Sequence, residues 1–541
     1  MSIERPKEKD HKPLSMPPKA GGKPAKDQPS LRPSGAANDT TVSEPKNLIN
    51  HSFTYGESLD PGEPPSKTEG EQRADSERSY AVEKVLAEPF GTVLNTQADN
   101  KKAKKIKKDE KDRQMLSDER WLVRNGHLFT YFGLYLFSIL VLFRPYEIIP
   151  GLGFLSATAF YFAIATLAIY VPSQLAIEGN LTMLSTEVKA ILAMTLIALV
   201  TMPIAKDPTL AWNVFNDPYI KAVVIFIVLV NVVRTRKRLM GMLWLSFGIA
   251  VYLSFSAVDL YMRGQFAVEE YRIKVDVGGM FGNPNEMAMH FVMMTPLVIT
   301  LGIAAKSKLM RFVYIAMAVL FVAANMVTYS RGGFLGLIVS SAFLAWKLGR
   351  KYRLNVTIAS IVIGGIVILA APGNYGLRML SIFIPGLDTV GSSDQRRELL
   401  ERSLLVTARN PWGIGIGNFP IVGIRNLQSH NAFTQVSAEL GILGLIAYLV
   451  FMISPFRKLS AIERSLFDRD RLDWFYYLAI GLQAGIIGYM VSSFFASVAY
   501  NWFIYYLIAY AVAFRRIYRI ENGAQEEVKT QPSFERLAEA T

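Results

Sequence analysis

Three arginines and a histidine, far apart in the chain, share a chemical logic. They are Arg272, Arg331, one of the adjacent pair Arg396 and Arg397, and His430, and all fall in connections or turns between apolar runs. Arginine carries a planar fork of donors that matches phosphate oxygens two at a time. Separated arginines around one point suit a pyrophosphate-like anion and the charge that develops on it as it leaves. Histidine, with an unperturbed pKa of roughly 6.5, takes a proton near neutral pH and would deprotonate or position an acceptor hydroxyl. Plainer readings stand beside these. His430, in Ser429-His430-Asn431, is also placed to hydrogen-bond at a helix start. Asn285, after the turn signal Gly282-Asn283-Pro284, reads as the N-cap of the helix that follows. Gly413-x-Gly415-x-Gly417 would let backbone amides approach a phosphate, but a simple bend is the commoner meaning of such spacing. His290 lies inside an apolar run and reads as a neutral histidine bonded within a helix bundle. Composition and spacing alone stop at anion binding with a nearby base.

The elements that must position these residues are membrane helices. The 541 residues are 51% hydrophobic, with a mean hydropathy of +0.24. Apolar runs recur at the length of a bilayer crossing, roughly 20 residues. The chain reads as an all-α integral membrane protein of about twelve spans. They are expected near 128–143, 152–171, 188–205, 217–233, 239–260, 286–304, 309–328, 333–347, 355–371, 432–454, 474–490 and 493–515. Arg331 falls in a long apolar run, Phe312 to Trp346, that is better read as two helices joined by a tight turn at Ser330-Arg331-Gly332-Gly333. Cysteine is absent, which excludes disulfides, zinc-thiolate sites and thiol nucleophiles, and five histidines make an all-histidine metal site a poor fit. No metal and no cofactor is expected. The net charge of +13 points to cytoplasmic loops and tails of a membrane protein, with no nucleic-acid partner.

Three regions follow. Residues 1–122 form a Pro-rich, basic N-terminal tail with too little apolar surface to offset ordering entropy, and with capacity for cytoplasmic partners. Within it, 82–93 is a candidate short helix and Lys101–Lys108 a basic cluster that either touches anionic lipid or simply fixes orientation. Residues 123–516 are the membrane domain, and 517–541 a C-terminal tail. The first apolar segment begins near residue 128, so no cleavable signal peptide is expected. Basic clusters at 234–238, 306–311, 347–353, 457–471 and 515–519 fall on one side of a twelve-span arrangement, which the positive-inside rule makes cytoplasmic, as it does both termini. The opposite side then carries the loop 261–285, the Arg331 turn and a large loop at 372–431 between spans nine and ten. In that loop, 392–409 reads as an amphipathic helix with Leu399, Leu400, Leu404 and Ala408 on one face, capped by Ser393 or Asp394.

The motifs around these residues resemble the O-antigen ligase and polysaccharide polymerase superfamily. The segments are Thr328-Tyr-Ser-Arg-Gly-Gly-Phe-Leu-Gly-Leu337 and Ser429-His-Asn-Ala-Phe-Thr-Gln-Val-Ser-Ala-Glu-Leu-Gly-Ile-Leu-Gly-Leu445, with Phe281-Gly-Asn-Pro-Asn-Glu-Met-Ala288 and Arg409-Asn-Pro-Trp-Gly-Ile-Gly-Ile-Gly-Asn-Phe419. The resemblance covers about 270–515 by motif and the earlier spans by topology only. It implies a GT-C-like, metal-independent, inverting glycosyltransferase of the bacterial inner membrane, active on the periplasmic side. Such enzymes move a glycan from an undecaprenyl-pyrophosphate carrier to a glycan, a lipid A-core or a protein hydroxyl. By matching position, Arg272 and Arg331 would hold the pyrophosphate and His430 would activate the acceptor. Arg396 and Arg397 compete for one further substrate contact, with Asn283, Asn285 and Asn431 as other substrate-binding candidates. The long N-terminal tail departs from the family pattern. A transporter or flippase of the lipid-linked glycan is the alternative, but it would place ionisable groups near mid-membrane in repeated, broken helices. No such repeat is visible in the sequence.

Overall fold

A computed structural model describes residues 126–149, 151–268, 271–275, 277, 281–350, 353–369, 371, 373, 375–380 and 392–529. The chain divides into Met1–Gln97 and Ala98–Thr541, and every described residue belongs to the second unit. The N-terminal tail with its candidate helix and basic cluster, the middle of the large loop and the end of the C-terminal tail lie outside the described residues.

The described part is helical and contains no strand. The helices are α1 (Leu128–Ser138), α2 (Leu155–Glu178), α3 (Thr186–Thr201), α4 (Ile220–Val232), α5 (Arg236–Met262), α6 (Pro284–Ala304) and α7 (Lys308–Val327). After them come α8 (Arg331–Leu348), α9 (Arg353–Leu369), α10 (Ser392–Arg409), α11 (Ala432–Asp468), α12 (Trp474–Ser493) and α13 (Trp502–Lys529). Among the described residues, nine helices, some joined across short turns, are long and apolar enough to cross a membrane. A helix also stands at the three other expected positions, as α8, α9 and α13. The protein is a multi-pass membrane protein.

Helices α6 and α12 form the centre. They pack on each other along their length, α7 and α8 cover α6, and α11 covers α12. Helix α6 is buried on nearly every side, with Met287, Met289, Met293 and Met294 enclosed along it, as expected of a helix surrounded by others. Close approach between α8 and α12 depends on small residues. A Cβ on Gly336 would lie 2.0 Å from Ser492 Oγ and 2.9 Å from the Gly488 carbonyl. Gly333 does the same for the approach of α8 to α6, where a Cβ would meet Ala288 Cβ at 2.7 Å.

At the basic end of the bundle, each of three carboxylates is shared by two cations. Glu463 of α11 binds Lys347 Nζ at 2.6 Å and Arg350 at 2.7 Å. Glu187 of α3 binds Lys458 at 3.1 Å and Arg515 of α13. Glu178 of α2 binds Arg234 at 2.9 Å and Arg516. The basic clusters therefore tie helices together as well as marking a side.

Four expectations are corrected. The span placed at 493–515 is displaced: α12 runs to Ser493, Phe494–Asn501 is a non-helical connection, and α13 starts at Trp502. Helix α11 continues past 454 to Asp468, because Lys458 and Glu463 have partners on neighbouring helices and stay helical. The turn between α7 and α8 is Thr328-Tyr329-Ser330, with Ser330 as N-cap. Arg331 is therefore the first helical residue, and Gly332 and Gly333 serve packing. Asn283, two residues before the expected Asn285, caps α6 by accepting from the Asn285 amide.

Replacing Gly336 by valine is expected to lower the thermal midpoint of the detergent-purified protein, at a cost of about 1–3 kcal/mol for overpacking. Gly364→Ala, at a position with nothing within 4 Å, should leave the midpoint unchanged.

Candidate functional site

A cavity of about 230 Å³ opens at the end of the bundle opposite the shared carboxylates, lined by Arg331, Arg396, Arg397, His430, Asn431 and Ser429 together with apolar Leu335, Leu400, Phe494 and Phe495. Five sequence candidates thus meet in one place, from three helix starts separated by as much as a hundred residues. Arg331 is the first residue of α8, His430 precedes the Asn431 cap of α11, and Arg396 and Arg397 lie in the first turns of α10. Arg331 and His430 thus stand at the positive ends of the α8 and α11 dipoles, where Ser330 and Asn431 take the Gly333, Phe433 and Thr434 amides.

The Arg331 turn is held by its carbonyls. Arg272 donates from Nε to the Thr328 carbonyl at 3.0 Å and from a terminal nitrogen to Asn285 Oδ1 at 2.8 Å. The Ser330 hydroxyl donates to the same Asn285 oxygen at 2.9 Å and accepts from the Gly333 amide at 3.2 Å. Arg378, from a short helix at Tyr375–Leu380, donates to the next carbonyl, Tyr329, at 3.0 Å and lies 4.8 Å from the Tyr271 ring centre. Tyr329 itself has φ +52°, a left-handed conformation that a non-glycine residue adopts only when its surroundings enforce it. Arg272, Asn283 and Asn285 do not line the cavity. They stand behind the turn that presents Arg331. Arg378 escaped the sequence reading, since a single arginine in a long loop has no motif around it.

The helix α10 lies over the bundle, against α11. Its buried face is Leu399, Ser403 and Val406, and Leu404 is 54% exposed, contrary to the expected face. The Thr407 hydroxyl pairs with Ser437 of α11 at 2.9 Å, which rotates the helix away from its leucine stripe. Ser393 and Asp394 are inside the first turn instead of capping it. Arg397 pairs with Glu401 at 3.2 Å on the exposed side, whereas Arg396 acts electrostatically on His430.

His430 also has a left-handed backbone, φ +51°. Its amide donates to Ser497 Oγ at 2.8 Å. The following Asn431 caps α11 by accepting from the Phe433 and Thr434 amides. Burial and then the positive charge of Arg396 hold the His430 pKa below the ordinary value, favouring the neutral imidazole, the form able to accept a proton. His290 stays away from the cavity, packed edge-on against Phe281 with ring centres 5.1 Å apart.

The glycine-spaced loop is not free to cradle a phosphate. Gly413, Gly415 and Gly417 all have positive φ, and the loop inserts against a break in α11 at Gly441 (φ +72°). Ile414 and Gly415 donate to the Ala438 and Glu439 carbonyls, each at 3.0 Å, and the Ile442 amide donates to Pro411 O at 2.9 Å. The buried Glu439 carboxylate accepts from the Gly417 and Phe419 amides at 2.9 and 3.3 Å. These amides are used inside the fold.

The arrangement gathers three arginines and a histidine on one cavity at an end of the helix bundle. A family model described as O-Antigen ligase matches residues 315–449, which contain Arg331, Arg396, Arg397, His430 and Asn431. This match supports the O-antigen ligase and polymerase superfamily and a glycosyltransferase-like enzyme of surface polysaccharide synthesis. No curated protein matches the chain.

With selective histidine labelling, the His430 resonance is expected to titrate below pH 6.5. In Arg396→Gln the midpoint should rise, because removing a neighbouring positive charge makes the imidazolium easier to form. A midpoint unchanged in that variant would separate the two groups.

Proposed function

We propose that the protein transfers a glycan from an undecaprenyl-pyrophosphate carrier to an acceptor hydroxyl, on the periplasmic face of a bacterial inner membrane. The observation that carries this reading is the convergence of Arg331, Arg396, Arg397 and His430 on one cavity at the end opposite the basic clusters. The positive-inside rule assigns that end to the periplasm and both termini to the cytoplasm. The donor's two phosphates would lie against Arg331 and the start of α8, with Arg396 the better placed of the loop pair, since Arg397 is paired to Glu401. Leu335, Leu400, Phe494 and Phe495 offer the apolar wall that a lipid carrier entering from the bilayer requires.

In the reaction, neutral His430 takes the acceptor hydroxyl proton as its oxygen attacks the anomeric carbon. The bond from that carbon to the pyrophosphate oxygen breaks, and the released charge is met by arginine forks and helix-start amides without a metal. Attack opposite the leaving group inverts the anomeric centre. Arg272 serves this site from behind, by holding the Thr328 carbonyl and Asn285.

The test is purified protein with a lipid-linked glycan and a candidate acceptor in the presence of chelator, with products sized. One shifted band indicates a ligase and a ladder a polymerase, while movement of the donor across a vesicle without transfer would favour a flippase. His430→Ala should abolish transfer. Arg331→Lys keeps the charge but loses the bidentate fork, and a loss of about 100-fold is expected, typical of removing an oxyanion donor. Near-normal transfer by Arg331→Lys would reduce that residue to a general charge.

A further inference from the structure

The connection Phe494–Asn501 between α12 and α13 lines the cavity and reaches the starts of both α8 and α11. Phe494 and Phe495 line it. A Cβ on Gly332, one residue after Arg331, would lie 3.0 Å from Phe495 Cβ. The Ala499 amide donates to Gln435 Oε1 of α11 at 3.4 Å. Tyr500 is buried beside the Glu439 carboxylate that anchors the glycine-spaced loop. The segment is uncharged and joins apolar helices, so hydropathy merges it into a span.

Within it, Ser497 makes the contact with the most direct chemical consequence. Its Oγ accepts from the His430 amide at 2.8 Å and pairs with Ser429 Oγ at 3.2 Å. The Ser429 hydroxyl is in turn bonded to the Asn431 backbone on the far side of His430. A left-handed histidine would relax to negative φ if released, and the direction of its Cβ would change with it. The hydroxyl pair holds the amide that this relaxation would move.

We propose that Ser497 is a positioning residue for His430, fixing its left-handed backbone so that the imidazole is aimed at the acceptor hydroxyl. This rests on His430 being the base of the transfer reaction. Removing the hydroxyl should therefore affect the chemical step more than donor capture, which belongs to the arginines.

Ser497→Ala and Ser497→Thr, beside His430→Ala, are measured in the purified transferase assay with KM for the donor and kcat separated. Ser497→Ala is expected to lower kcat by about 100-fold, the scale of a misplaced catalytic group, at an unchanged donor KM. Ser497→Thr, which keeps the hydroxyl at a half-buried position, should recover most of the rate. Wild-type kcat in Ser497→Ala, or equal losses in the alanine and threonine variants, would overturn the role of the hydroxyl. Wild-type activity in His430→Ala would instead overturn the base reading on which the proposal stands, so the two failures are told apart.

Discussion

The passage from α7 into α8 takes three residues, and the cavity depends on how those residues are held. A reversal this short exposes carbonyls that no helix satisfies and forces Tyr329 into a left-handed backbone. Two guanidinium groups from distant parts of the chain, Arg272 and Arg378, take the consecutive carbonyls of Thr328 and Tyr329. Asn285 joins the first of these to the Ser330 cap. Buried backbone acceptors left unpaired would be costly, so these bonds fix both the turn and the start of α8. Arg331 follows directly, and its position at the cavity is set by groups that never enter it.

The two ends of the bundle use charge differently. At the basic end, each of three carboxylates holds two cations, joining α2, α3 and the connection after α4 with α8, α11 and α13. Such groups are costly to bury and are tolerated because they are paired. At the opposite end, arginines collect around a cavity with a neutral histidine. At the basic end six cations share three carboxylates, so positive charge is in excess there too, and what distinguishes the opposite end is that its arginines and histidine line a cavity.

Much of this was legible in the sequence for identifiable reasons. Apolar runs of spanning length located the helices, because lipid leaves the backbone few alternatives to helix. Arg331, Arg396, Arg397, His430 and Asn431, which line the cavity, stand out in the sequence because charges and polar groups between apolar runs need a local explanation. The boundary at 493 failed for the converse reason: Phe494–Asn501 is uncharged, and an unwound apolar segment has the same hydropathy as a helix. The face of α10 was misread because Thr407 and Ser437 set its rotation through a hydrogen bond that no leucine spacing records. Arg272 had no role visible in the sequence, because the partners it has, the Thr328 carbonyl and Asn285, belong to tertiary structure. Arg378 gave no signal at all.

The break in α11 at Gly441 has a consequence for the order in which the molecule is completed. Carbonyls of Ala438 and Glu439, and the amide of Ile442, find their partners in Pro411–Gly415, a segment synthesised about thirty residues earlier. Neither half is satisfied alone. The loop must wait for α11 to emerge, and His430 lies on the length of chain that this union closes. The bond of His430 to Ser497 and the wall made by Phe494 and Phe495 need chain synthesised later still, so the cavity is complete only after α12.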